Sequence, residues 1–173
     1  LWNHRWDHDK NPKAFIKIFN KIHDMGYEFE LIIAGEEYKN AKEDFLNLKE
    51  RLENKIIHFG YAESFEDYAR LLWKADYLPV TSLQDFFGIS ISEAMYCKCT
   101  PILPERLTYR ELFGQGSHFY KDDIELFEII TEQIKIWPEK STNTESDLLP
   151  DLDWHIMGKQ YDRLFKSLVN ESN

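Results

Sequence analysis

A chain of 173 residues, 43% of them hydrophobic, has the mass for one ordinary globular domain with a full core and too little for two. Its 31 acidic against 21 basic residues give a formal charge of −10, which argues against broad electrostatic adhesion to nucleic acid or to an anionic membrane. No apolar run approaches the roughly 18 residues of a membrane span, and the first residues lack a signal-peptide pattern, so a cytoplasmic protein without membrane contact is expected. Cys97 and Cys99 stand too close to staple a domain and lack the partners of a zinc site, so they read as reduced structural thiols.

Residues 1–5 start apolar and end in Asn3-His4-Arg5, as a strand running into a loop would. Asn11 and Pro12 supply an N-cap and a first-turn proline for a helix reaching about Met25, with Phe15, Ile16, Phe19 and Ile22 as its apolar stripe and Gly26 as its stop. Residues 29–34 form a nearly continuous apolar run, the pattern of a parallel strand buried on both faces, and Gly35 begins the turn. Helical spacing returns over 40–52, a strand over 56–59, and Ser64 with Asp67 three positions on opens a helix through Leu71, Leu72 and Trp73.

The next strand is 77–81. After it comes the stretch Ser82-Leu-Gln-Asp85-Phe-Phe87-Gly88-Ile89-Ser-Ile-Ser-Glu93-Ala-Met95, a polar loop feeding a buried helix. Residues 100–103 read as a strand, 109–113 as a helical turn and 118–120 as a weak strand. Residues 124–137 follow as an amphipathic helix ended by Pro138, then a polar loop over 141–146 and a closing helix over 154–168. That last helix is expected to turn Ile156, Tyr161, Leu164 and Phe165 inward. Strands alternating with helices over short connections predict an α/β fold: a doubly wound, Rossmann-like parallel sheet of about six strands with helices on both faces. No Gly-x-Gly-x-x-Gly follows the first strand, which argues against a dinucleotide oxidoreductase.

Open parallel sheets bind ligands outside the carboxyl ends of their strands. Arg5 and Lys10, leaving the first strand five residues apart, are therefore aimed at the same crevice as Asp85. Asp85 and Glu93, eight positions apart, put one acid in the loop and one in the helix. By spacing alone this is as compatible with a capping Asp and a core helix as with a ligand grip. His4 and His8 with Asp7 and Asp9 invite a metal reading, but a loop fixes no such geometry and no metal is expected. Lys13, Lys17 and Lys21 make one basic helical face, solvated by default, with a local partner contact as the sharper alternative, which the resemblance described below extends to tRNA. Trp154 and Tyr161 read as packing residues.

Asp85 and Glu93 with seven residues between them resemble the acid-x7-acid motif of retaining glycosyltransferases of the two-domain GT-B architecture, family 4. The order of Asn3-His4-Arg5 with Lys10, Ile33-Ala34-Gly35-Glu36, Phe59-Gly60-Tyr61, Ala75-Asp76 and Pro101 after Cys97-Lys98-Cys99 is similar to that family's. The Asn-His-Arg-Trp start, Phe86-Phe87-Gly88 and the Tyr96-Cys97-x-Cys99 run resemble its tRNA-queuosine mannosyltransferase-like group. The first acid is Asp85 where the family has Glu, one methylene shorter. Residues 106–110 also replace the Gly-Gly that relatives carry before the position of Glu111.

The resemblance covers residues 1–173 as a C-terminal, nucleotide-sugar-binding domain, with an N-terminal acceptor domain outside this chain as its partner. It implies that Arg5 and Lys10 hold the donor's diphosphate, that Glu93 accepts from the ribose hydroxyls, and that Asp85 lies on the sugar side. Asp85, Arg5 and Lys10 would thus be the catalytic set. It further implies that Phe87, Gly88 and Ile89 offer backbone contacts, that Gly35, Gly60 and Tyr61 surround the base, and that His4 faces the phosphates. Tyr61 reads equally as a half-buried structural residue. The substrate implied is a nucleotide sugar, GDP-mannose in the queuosine-like group, with tRNA as acceptor and no separate cofactor or metal. The isolated domain should bind but not turn over. A nucleotide-sugar epimerase, a phosphorylase or a non-catalytic nucleotide-binding module would share these features.

Overall fold

The structure is a computed structural model that describes residues 1–36, 42–106, 108–114, 116–137 and 153–171. Its strands are β1 (Leu31–Ala34), β2 (Ile56–Gly60), β3 (Tyr77–Pro79), β4 (Thr100–Pro104) and β5 (His118–Tyr120). Its helices are α1 (Pro12–Asp24), α2 (Lys42–Arg51), α3 (Phe65–Lys74), α4 (Ile89–Tyr96), α5 (Tyr109–Phe113), α6 (Asp123–Ile136) and α7 (Trp154–Glu171). The start of the predicted helix at Asn40, Pro138 and the loop over 141–146 lie outside the described residues.

Apolar alternation along the strands sorts the core into two layers. Leu31, Ile33 and Ile102 join Phe15 and Phe19 of α1, Phe45 and Leu48 of α2 and Leu126 and Ile130 of α6 on one side. Ile32, Ala34 and Leu103 join Leu72 of α3, Ile91 and Met95 of α4 and Tyr109 and Phe113 of α5 on the other. Strands covered on both faces have to be apolar throughout, and β1 is buried at every position. The doubly wound plan is therefore present, with all pairings parallel.

Among the described residues the expected sheet of about six strands is instead five strands in two sheets, β1-β2 and β3-β4-β5. The predicted first strand is reduced to one parallel bridge, Trp2 to Ile33. Trp2 N–H donates to Ile32 O and Ala34 N–H to Trp2 O, each at 2.7 Å, while the Leu1 amino group donates to Tyr77 O at 2.8 Å. This short segment thus lies between β1 and β3 and links the two sheets. Only two of its residues pair before the chain leaves into the Asn3–Lys10 loop, too few for a ladder.

Asn11 stands at the start of α1 but makes no side-chain cap; its left-handed φ of 50° and its N–H bond to His8 O close the preceding turn over His8–Lys10. Ser64 does cap α3, accepting from Asp67 N–H. The expected inward face of α7 is overturned, because Ile156, Tyr161, Leu164 and Phe165 are all exposed, as is Trp154, with Phe165 stacked on the Tyr161 ring and Trp154 tilted against it. Lys17 pairs with Asp123 at 3.2 Å and Lys21 lies 3.8 Å above the Phe127 ring, so part of the basic face of α1 is occupied by α6. Cys97 and Cys99 are buried free thiols, Cys99 pushed up to about 12 chiefly by burial.

Gly35, after β1, is required by its surroundings. A Cβ there would lie 2.1 Å from the His4 carbonyl oxygen and 3.3 Å from Trp6 Nε1. Gly26, by contrast, has a φ of 78° with nothing within 4 Å. Gly35→Ala should therefore lower unfolding stability by about 2–3 kcal/mol through a backbone clash, against about 1 kcal/mol for Gly26→Ala from conformation alone. Shifts in urea midpoint at unchanged m-value check both.

Candidate functional site

Two loops leave the carboxyl ends of neighbouring strand segments and are bonded to each other. Leu83 and Gln84 N–H both reach Asp9 O, at 2.8 and 3.3 Å. Thr81 Oγ1 donates toward Lys10 O at 2.8 Å and Asn11 O at 3.1 Å, and Lys10 Nζ donates to Gln84 O at 3.1 Å. Arg106 adds a bond from its guanidinium to Ser82 O at 2.9 Å. A cavity of about 310 Å³ opens between the loops, walled by Asn3, His4, Arg5 and Lys10 on one side and by Asp85, Phe86, Ile89 and Ser90 on the other.

The predicted cations and the first acid thus meet. Lys10 Nζ lies 3.4 Å from Asp85 Oδ2 and 3.3 Å from Asp9 Oδ2, and Arg5 reaches the same Asp9 oxygen at 3.7 Å. Asp85 is held from three directions: Gly88 N–H donates to Oδ1 at 3.2 Å, Tyr109 O–H donates to Oδ2 at 3.1 Å, and Lys10 faces Oδ2. Burial, then the Asp85 charge, pushes the Tyr109 hydroxyl well above its usual range, so it stays a donor. Gly88 has a left-handed φ of 78°, and a Cβ on it would come within 3.0 Å of Ile91 and 3.2 Å of Phe113. A glycine at this position lets the loop enter α4 while its amide turns back to Asp85.

Glu93 lies outside this cavity, one turn further along α4. Its Oε2 accepts from Tyr68 O–H at 2.8 Å, and Tyr68 O accepts from Asn3 Nδ2 at 3.1 Å. Asn3 therefore connects the cavity to Glu93. Phe86 and Ile89 are exposed at the rim, and Phe87 is also exposed. Gly35 N–H donates to Gly60 O at 3.2 Å, which places the two glycines side by side at the ends of β1 and β2. Tyr61 beyond them is 77% exposed, which removes the half-buried structural reading. Among the described residues no group of three His, Cys, Asp or Glu side chains could hold a metal ion, and no helix is long and apolar enough to cross a membrane.

A larger cavity of about 650 Å³ lies at the opposite ends of β1 and β3, lined by Phe29, Tyr77, Pro79 and Ile102 among others. It contains none of the predicted site residues and sits where a parallel sheet presents no ligand crevice, so the smaller one is the candidate site. Sequence reasoning weighed Asp9 only as a metal ligand and missed its pairing with the two cations, and it missed Tyr68 and Tyr109 altogether. Asp9 had a signal, as an acid at i+4 from Arg5 and beside Lys10. Tyr68 and Tyr109 had none, lying 25 and 24 positions from the acids they touch.

Residues 2–141 match the family described as Glycosyl transferases group 1. The chain belongs to the group 1 glycosyl transferases. It is 37% identical over 113 residues to the tRNA-queuosine alpha-mannosyltransferase of Drosophila melanogaster, covering 65% of this chain and 30% of that protein. Its fold is also that of HepE from Anabaena in complex with UDP and glucose, with a TM-score of 0.68 at 19% identity over 95% of this chain and 47% of that one. Sucrose-phosphate synthase from Thermosynechococcus elongatus gives 0.74 at 16% over 96% and 44%. The C-terminal domain of LpcC from Francisella tularensis gives 0.63 at 16% over 76% and 72%. Likenesses at these identities establish the shared fold alone.

His4 is buried in the site, with Nδ1 3.1 Å from Ser90 Oγ and Nε2 without a partner among the described residues. Burial first, and then Lys10, lowers its pKa from 6.5 to about 4, against the opposing pull of Asp85 and Asp9. The unfolded imidazole takes up a proton below about pH 6.5 and the folded one only below about 4. The folded state therefore binds fewer protons in that window, and this stability, complete above pH 6.5, is lost as pH falls toward 4. Wild-type protein should lose up to about 3 kcal/mol more than His4→Gln between pH 7 and pH 4, as measured by urea unfolding at each pH.

Proposed function

We propose that this chain is the donor-binding half of a retaining hexosyltransferase, taking a nucleotide sugar and working with an acceptor domain outside the residues given. The observation that carries the reading is the convergence of Arg5, Lys10 and Asp85 on one cavity at the carboxyl ends of the strands. Departure of a nucleoside diphosphate develops negative charge on its phosphates, and fixed cations there favour the transition state over the bound ground state. Arg5 and Lys10 take that role, changing partners from Asp9 to phosphate oxygens. The neutral His4 has a buried, unpartnered Nε2 in the same wall and contributes a hydrogen bond without adding charge.

Asp85 faces the sugar side. Its orientation is set by Gly88 N–H and Tyr109 O–H, which supports an electrostatic role opposite positive charge growing at the anomeric carbon. Glu93 accepts from the ribose hydroxyls, a task that suits two acceptor oxygens in one plane. The main-chain segment Phe87-Gly88-Ile89 approaches the phosphates, while Gly35, Gly60 and the exposed Tyr61 lie on the base side. Mannose as the transferred sugar and queuosine in tRNA as acceptor are supported by the name of the Drosophila relative, and GDP as the nucleotide rests on the resemblance to the queuosine-like group. The net charge of −10 leaves most RNA contact to the remainder of the protein. No step in this scheme requires a metal or a separate cofactor.

Calorimetric titration with GDP, UDP and ADP should give saturable binding of GDP, weakened about tenfold or more by Arg5→Ala and by Glu93→Ala. Absence of saturable binding, or affinity indifferent to both substitutions, would defeat the donor-site reading.

A further inference from the structure

The hydrogen bonds around Glu93 have a fixed direction. Asn3 is buried, and its Nδ2 donates to Ser90 O at 2.8 Å as well as to Tyr68 O at 3.1 Å. The Ser90 carbonyl only accepts, so it sets which way the Asn3 amide faces. The phenol oxygen therefore accepts from Asn3 and sends its own proton to Glu93 Oε2 at 2.8 Å. Burial, then the bond to Glu93, pushes the Tyr68 hydroxyl well above its usual range, so this donor persists across physiological pH. A glutamate on a helix surface otherwise samples several rotamers and gives up that freedom when one is fixed.

Resting on the donor-site reading, we propose that Tyr68, anchored by Asn3, is a positioning residue that aims the Glu93 carboxylate at the ribose and so sets the preference of the site for ribonucleotides. Adjacent ribose hydroxyls can both donate to a carboxylate only when its plane faces them. Tyr68 occupies one lone pair of Oε2, leaving the other and the whole of Oε1 to the ligand. Asn3 belongs to the same loop as Arg5 and Lys10, so the grip on the diphosphate and the grip on the ribose are set by one piece of chain.

The test is calorimetry on the full-length protein with GDP and 2′,3′-dideoxy-GDP, the UDP pair being run alongside. Wild type should prefer the ribonucleotide. Tyr68→Phe should weaken it about three- to tenfold while leaving the dideoxy ligand unchanged, which also certifies the fold. In a Glu93→Gln background Tyr68→Phe should have no further effect. Asn3→Ala, which removes the anchor and keeps the hydroxyl, should shift the same ratio in the same direction. A wild type that binds both ligands alike takes the ribose contact away from Glu93 and the proposal with it. A wild-type preference that survives Tyr68→Phe, or equal weakening of both ligands, overturns the role of Tyr68 alone.

Discussion

The site depends on the Asp9 carbonyl. It accepts from two successive amides of the other loop, Leu83 and Gln84, and so ties the segment after the first paired residues to the segment after β3. Every later feature is downstream of that tie. Thr81 and Lys10 reinforce it, the cations come to lie beside Asp85, and the cavity has walls from both loops. Beside the turns that Lys10 and Asn11 N–H close within the first loop, these main-chain groups find partners across the cleft. The arrangement is therefore preorganised by main-chain bonding, and its charged side chains need only small adjustments.

Much of this was legible in the sequence because the relevant physics is local or positional. Continuous apolar runs mark the strands, helical stripes mark α1 and α6, and the rule that parallel sheets bind ligands at their carboxyl ends is enough to bring Arg5, Lys10 and Asp85 to one crevice. What was not legible is what depends on side chains meeting across long separations. Nothing near Asp85 announces Tyr109, and nothing near Glu93 announces Tyr68. The apolar stripe of α7 has the period of a packed face yet stays exposed, since periodicity specifies which side of a helix is apolar and not whether a partner surface covers it. Asn11 has the composition of a cap but serves as a left-handed joint between two turns, a use that the same short polar side chain also permits.

The shorter first acid has a structural counterpart. Asp85 is drawn to its own loop by the Gly88 amide and to α5 by Tyr109, within the segment that replaces the Gly-Gly of relatives. The two departures from the family pattern touch each other. A shorter carboxylate with an added hydroxyl donor is a different way of fixing one negative charge at the same rim, and the donor is supplied by a ring that is itself packed in the second core layer beside Phe113.

The charges at the rim are matched in number: Asp9 and Asp85 stand against Arg5 and Lys10, on a chain that is acidic overall. Such a pocket draws an anion from afar only weakly, and its hold comes at contact, by swapping resident carboxylates for incoming oxygens. The swap works in reverse as well. Under the proposed donor role, a spent nucleoside diphosphate would leave without stranding bare cations, since Asp9 lies within reach of both Arg5 and Lys10, an arrangement suited to release of a product more than to its storage.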